Sequence, residues 1–308
     1  MPDRPRRELL AKGLRGTRGR RYPITLQALR DRCYPLDWRN LAAPVGRDGA
    51  VRLPDGRGAD YVHPVATAFH GLACLHRLVT GDAPDPAARC VGRVVDALLA
   101  TQQPDGSWRY PVPVPRYGVR PGWSSAMAQG LGTSLLLRSA DVLPGADAPR
   151  LRGAAERAVT HLLRPVDEGG CSVPDGEGRP FPEECPSEPG PFVLNGACFA
   201  LLGLQDLDDR GGDGAARRAA ERIDALLPRW DLGYWSRYDL LSGTPSSPDY
   251  HRLHVSLLTV LGDRYPDLRF AEFATRFEQQ RRRGRQRLRA LTALAVERLL
   301  LPIPGGTA

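Results

Sequence analysis

The sequence predicts an all-α fold, with helices paired into an α/α toroid (an incomplete α/α barrel), and three observations lead there. Apolar residues recur at spacings of three and four in successive segments from Pro64 onward. Pro- and Gly-rich breaks separate them, such as Gly81-Asp82-Ala83-Pro84, Pro104-Asp105-Gly106 and Gly211-Gly212-Asp213-Gly214. No convincing alternation of apolar and polar residues lies between the segments to mark a strand. Helices joined in turn by short and long loops pair antiparallel. Set in a ring, such pairs leave a mouth lined by loops and helix N-termini, a concave place for a ligand.

In chain order, residues 1–21 read as a basic flexible arm. Residues 22–62 are rich in Pro, Gly and Asp and read as a short irregular N-terminal segment. Residues 63–302 form one α/α-barrel domain. The periodicity predicts helices over 64–80, 87–102, 124–143, 148–165, 191–207, 214–228, 250–265 and 268–300. The turn Gln103-Pro104-Asp105-Gly106-Ser107-Trp108 resembles one that staples neighbouring helices in α/α-barrel proteins, and a structural role is expected for it.

Composition narrows the function classes. No apolar run reaches the roughly 20 residues that span a bilayer, so no membrane span is expected. No long apolar stretch follows the basic start, so a cytoplasmic location is expected rather than secretion. The formal net charge is +8, and Lys12 is the only lysine among the basic residues. Arginine makes two-pronged contacts with carboxylates and phosphates, which suits an acidic partner. A GC-rich genome that replaces Lys by Arg produces the same count. No nucleic-acid partner is expected, because no helix-turn-helix, zinc or basic-aromatic signature is present. The basic run over 279–287 reads as a solvated helix face, with a polyanion-binding strip as the alternative.

Six cysteines are present and none forms a CxxC pair, so no metal site is expected. Cys74, Cys90 and Cys198 sit in apolar helical patterns and read as small core residues, and disulfides are not expected. No GxGxxG follows a strand, so no dinucleotide cofactor is expected.

Four segments are unusually polar and aromatic for helix ends: Pro121–Gly130, Phe181–Pro186, Gly233–Leu240 and Pro248–His254. Six short motifs stand in order along the chain: Gly122–Gly130, Glu183–Pro186, Val193–Gly196, Leu202–Leu207, Tyr238–Leu240 and Tyr250–His254. Together they resemble the ordered G-W-x-S-A-M-A-Q-G, E-E-Y-P, V-L-N-G, L-x-G-L-x-D-L, Y-D-L and Y-H-x-x-H segments of the helical catalytic domain of D-glucuronyl C5-epimerases. The stretch Tyr61-Val62-His63-Pro64, followed by Phe69-His70-Gly71-Leu72, looks like that family's entry into its first helix. The chain departs from the family at Cys185, where the E-E-Y-P segment has Tyr. Animal members also carry a large β-rich region before the helical domain, to which residues 22–62 offer at most a short counterpart.

The resemblance implies an isomerase that removes and returns a proton at C5 of a glucuronyl residue. The substrate would be a heparosan-like acidic glycan or a smaller carboxylate-bearing glucuronide, and no cofactor would be required. It implies Glu184, Tyr238 and Tyr250 as catalytic residues. Arg237 and Arg252 are candidates to hold the carboxylate, and Asn195 to bond a carboxylate or hydroxyl. Gln129, Cys185 and His251 join them as candidate substrate contacts. Trp123 and Trp235 either stack on a sugar ring or fill the barrel mouth. His251 and His254 are read as hydrogen-bonding or packing residues rather than metal ligands. A homodimer is compatible with this picture. The alternative is an isomerase or cyclase of specialised metabolism that uses the same barrel on a non-sugar substrate, which the Cys185 departure favours.

Overall fold

The computed structural model describes residues 21–40 and 45–300. Apart from Arg21, the basic arm of the sequence reading lies outside the described residues. The chain is all-α, with nine α-helices among the described residues: α1 (Pro64–Thr80), α2 (Pro84–Thr101), α3 (Ala126–Val142), α4 (Ala148–Leu163), α5 (Leu194–Asp208), α6 (Ala215–Trp230), α7 (Pro248–Arg264), α8 (Phe270–Arg282) and α9 (Gly284–Leu300). None is long and apolar enough to cross a membrane. Two compact units divide the chain, Pro23–Ala225 and the stretch from Leu226 onward with Tyr22.

Local chemistry sets the helix ends. His63 caps α1, its Nδ1 accepting from the Ala66 N–H, and Pro64 supplies a preset φ behind it. Gly81, at φ 74°, closes α1 in the left-handed conformation that only glycine adopts cheaply, and the chain turns back into α2. Asp147 caps α4 and Ser247 caps α7 in the same manner as His63.

Within Pro23–Ala225, α3 is largely buried and packs on α1, α4 and α5. Gly130 of α3 and Gly203 of α5 let the two backbones touch: a Cβ on Gly203 would strike the Gly130 carbonyl, and one on Gly130 would strike the Ala200 backbone. Gly203→Ala should therefore destabilise by about 1–3 kcal/mol, since neither backbone can yield without separating the helices. Gly92→Ala, in α2 with open space around it, should raise stability by about 0.5–1 kcal/mol through helix propensity. Urea unfolding of the two variants checks the contrast, and equal effects would contradict it.

The turn at 102–108 staples three helices, as expected. Gln102 Nε2 donates to the Gly106 and Ala154 carbonyls, and Trp108 Nε1 donates to Leu98 O. A Cβ on Gly106, at φ 85°, would meet the Arg157 backbone. The segment before α1 is irregular, yet its Cys33, Tyr34, Leu36 and Trp38 are buried. Arg138 of α3 anchors it by donating to the Arg30 and Cys33 carbonyls at 2.8 and 2.6 Å. The same guanidinium forms a two-pronged pair with Asp206 of α5 at 2.8 and 2.6 Å, both groups buried.

The structure departs from the sequence reading in three places. Among the described residues three two-stranded antiparallel hairpins occur: β1 (Arg52–Pro54) with β2 (Asp60–Val62), β3 (Arg109–Tyr110) with β4 (Trp123–Ser124), and β5 (Ser172–Pro174) with β6 (Pro180–Pro182). Strands this short are too brief to show a period of two. The helix expected over 268–300 breaks at Arg283-Gly284, where consecutive like charges precede a residue of low helix propensity. Cys74 and Cys90 form a disulfide across α1 and α2, correcting the reading of both as reduced core residues; their Cα atoms lie 6.1 Å apart. Helix periodicity shows that a cysteine faces inward but not which cysteine faces it from another helix.

Candidate functional site

The β5–β6 hairpin delivers two adjacent glutamates to the heart of the Pro23–Ala225 unit. Glu183 is fully buried. It anchors the hairpin to α3 because its carbonyl accepts from the Ala126 N–H. Its carboxyl accepts from the N–H groups of Phe192 at 2.7 Å and Cys185 at 3.3 Å, clamping the loop that leads into α5. Burial, with Glu184 as a like-charged neighbour, pushes the Glu183 pKa up to about 8 against those backbone donors.

Glu184 lies across the first turn of α5. Its side chain occupies the space a Cβ on Gly196 would need, so the Val193–Gly196 segment and Glu184 fit as a pair. Asn195 Nδ2 donates to Glu184 Oε2 at 3.2 Å. Burial pushes the Glu184 pKa up to about 7, with the Asn195 bond pulling the other way. Asn195 is 2% exposed, and its Oδ1 is buried with no hydrogen-bond partner in the protein. The result is a carboxyl group near its titration point beside an unclaimed acceptor.

An aromatic wall stands next to these groups. Tyr110, buried, lies within electrostatic reach of the Glu184 carboxyl and close to Cys185, and its hydroxyl sits at the Val65 N–H of the first turn of α1. Burial holds its pKa well above the ordinary value, so it is a hydroxyl at neutral pH. Trp123 stacks on Tyr110 at 4.4 Å, and its Nε1 donates to Val112 O. His63 meets Tyr110 edge-on at 5.3 Å, with Tyr61 beyond at 5.9 Å from His63. Cys185 is buried and not disulfide-bonded. Tyr110 and His63 are missing from the candidates read in the sequence. Tyr110 lies in no segment that resembled the family, and only its place two residues past Trp108 of the stapled turn hinted at it.

Gln129 is turned to structural use. Its Oε1 accepts from the Trp108 N–H, and its Nε2 donates to the Gly106 and Ala158 carbonyls, which fully occupies the amide in the 102–108 staple.

The unit from Leu226 onward holds the other sequence candidates. Tyr238 and Tyr250 meet edge-to-face at 4.8 Å, with Tyr250 39% exposed. Arg237 donates to Gly243 O at 3.0 Å, and Arg252 pairs with Asp249 on its own helix. Both guanidinium Nε atoms are buried without a partner. Trp235 and His251 face inward. Trp235 is fully buried, donates to Ser246 O and stacks on the His251 ring at 3.7 Å. His251 is bonded at Nδ1 to Ser236 and at Nε2 to Phe277 O. His254 Nδ1 bonds Ser236 Oγ at 2.9 Å, so the two histidines share a serine. Burial lowers their pKa values to about 4 and about 3, leaving both neutral. Gln129, Trp235 and His251 thus hold structure and have no polar atom to offer a ligand.

Comparison with known proteins follows the same residues. The family described as D-glucuronyl C5-epimerase C-terminus matches residues 102–279. A D-glucuronyl C5-epimerase of Caenorhabditis elegans is 34% identical over 191 residues, covering 53% of this chain and 30% of the relative. An uncharacterised protein of Methanocaldococcus jannaschii is 30% identical over 154 residues, covering 48% of this chain and 49% of that protein. The chain thus spans half or less of the length of these curated relatives. Among solved structures, a family 76 glycoside hydrolase from a bovine Bacteroides thetaiotaomicron strain aligns at a TM-score of 0.41 and 13% identity, over 65% of this chain and 43% of that one. The family match takes in Glu184, Asn195, Tyr238 and Tyr250, and the chain belongs to the D-glucuronyl C5-epimerase C-terminal family.

Proposed function

We propose that the protein is an epimerase that removes and returns the proton at C5 of a glucuronyl residue, in a heparosan-like glycan or a smaller glucuronide, without a cofactor. The observation that carries this reading is the Glu184 carboxyl, held near neutrality beside the unpartnered Asn195 Oδ1. The C5 hydrogen is alpha to a carboxylate, and its removal gives an enediolate-like anion. A carboxyl group with a pKa near 7 both gives and takes a proton at neutral pH. Glu184 serves as one such group, and Asn195 Oδ1 accepts from a sugar hydroxyl. The aromatic faces of Trp123 and its neighbours suit the C–H face of a sugar ring. Membership of the family extends the proposal to Tyr238 and Tyr250 as proton-transfer residues, and to Arg237 and Arg252 as groups that recognise a carboxylate.

A second reading rests on Cys185. A thiol is smaller than the phenol of the family segment and bonds more weakly. Next to Glu184 it favours a different substituent, which admits a non-sugar carboxylate as substrate for the same proton transfer. One experiment addresses both readings. Turnover in deuterated water should place deuterium at C5 of heparosan or of a small glucuronide. Label absent from the sugars but present alpha to the carboxyl of another acid supports the second reading. A substrate that turns over with no carbon-bound deuterium removes both.

A further inference from the structure

The hairpin of α1 and α2 carries a second cluster of reactive groups, seven residues or about 10 Å along α1 from His63. His70 and Cys74 stand four apart on one face of α1, and Cys90 meets them from α2. His70 Nε2 lies 3.2 Å from Cys90 Sγ and 3.6 Å from Cys74 Sγ. The nitrogen and both sulfurs fall within 4.8 Å of one another. Cys74 is buried, while His70 and Cys90 are half-buried and within reach of solvent.

A disulfide between two helices has no need of an imidazole against both sulfurs, whereas one nitrogen and two sulfurs set together are a common ligand set for a tetrahedral metal. With metal–sulfur bonds of about 2.3 Å and metal–nitrogen bonds of about 2.05 Å, a tetrahedron puts nitrogen about 3.6 Å from each sulfur and the sulfurs about 3.8 Å apart. The nitrogen–sulfur spacings are near those values already. Only the two sulfurs have to part, which rotation about the cysteine Cα–Cβ bonds permits once the S–S bond is broken. Arg77 and Arg93 lie close enough to act on the His70 ring electrostatically, and the same positive charge favours thiolates beside it.

We propose that, in its reduced form, this hairpin binds one divalent cation of the zinc class through His70 Nε2, Cys74 Sγ and Cys90 Sγ, with water in the fourth position, and that the disulfide is the metal-free, oxidised state of the same site. The step between the states balances. A small dithiol gives two electrons and two protons to the cystine, whose S–S bond breaks, and closes to its own disulfide. The metal then displaces one proton from each thiol to solvent and is held by two thiolates and a neutral imidazole. The site is separate from Glu184 and does not depend on the epimerase reading.

Cobalt(II) reports the coordination directly. The full chain is reduced with excess dithiol, desalted without oxygen and titrated with cobalt. A thiolate-to-cobalt charge-transfer band and intense tetrahedral d–d bands should saturate at one equivalent and be abolished by zinc. The oxidised protein should show neither. The double change Cys74→Ser with Cys90→Ser should lose the charge-transfer signal. His70→Gln keeps both cysteines and should bind at least about tenfold more weakly, because even outer-shell partners of metal ligands are worth 10–100-fold. Circular dichroism reports whether each variant is folded. The proposal is overturned if the reduced protein shows no such bands, or if they persist when Cys74 and Cys90 are both changed to serine, placing the metal on other cysteines. Unchanged affinity in folded His70→Gln overturns it as well, independently of how the double serine variant behaves.

Discussion

Glu184→Gln should reduce turnover by about 10²–10⁴-fold while leaving the fold intact, the range expected for loss of a general acid–base group. The substitution keeps the size of the side chain and an oxygen that still accepts from Asn195 Nδ2, so the packing against Gly196 survives. What disappears is the exchangeable proton. The pH profile gives a second, independent reading. With its pKa pushed up to about 7 by burial, Glu184 is protonated below neutrality and charged above it. Steps in which it donates a proton should therefore weaken as pH rises through about 7, and steps in which it accepts one should weaken as pH falls through the same value. For the inversion measured in one direction, the limb near pH 7 should be present in the native enzyme and absent from whatever activity remains in Glu184→Gln. Retention of activity within about tenfold, with that limb unchanged, would remove Glu184 from the chemistry. Deuterium exchange measured alongside inversion separates the loss of one proton transfer from the loss of both.

The largest effect on stability is expected at the Arg138–Asp206 pair. Both side chains are buried, and the guanidinium also serves the Arg30 and Cys33 carbonyls. Asp206→Leu leaves a buried cation without its counter-charge and should cost about 3–5 kcal/mol. Arg138→Met should cost a similar amount, because it strands the Asp206 carboxylate and releases the segment before α1 from α3. The double change Arg138→Met with Asp206→Leu removes both charges and should recover part of the loss. Recovery should be incomplete, since the Arg30 and Cys33 carbonyls still lose their donor. Chemical unfolding of the four proteins measures the cycle. Strictly additive losses would show that the two charges do not act as a pair.

The sequence by itself determined most of the helices, the family and part of the candidate site. Helix periodicity is local, and the amphipathic stripe over 64–80 or 148–163 is written in each segment alone. Glu184 and Asn195 were also legible, because each lies in a short ordered segment. What they do was not. Asn195 belongs beside Glu184 because Gly196, in the first turn of α5, lacks the Cβ that would exclude the Glu184 side chain. Burial, a property of everything packed around it, moves the Glu184 pKa to neutrality. Gln129, Trp235 and His251 looked like ligand groups in the sequence for the same reason that they serve the core: a polar or aromatic side chain at a helix end bonds whichever group it meets, and here it meets backbone carbonyls and another ring. Tyr110 and the His70–Cys74–Cys90 cluster show the converse. The His70–Cys74 spacing is local, but Cys90 and the partners of Tyr110 come from other helices and hairpins, so no single segment marks either group. Only the tertiary structure, which brings distant positions within bonding distance, decided that they stand together.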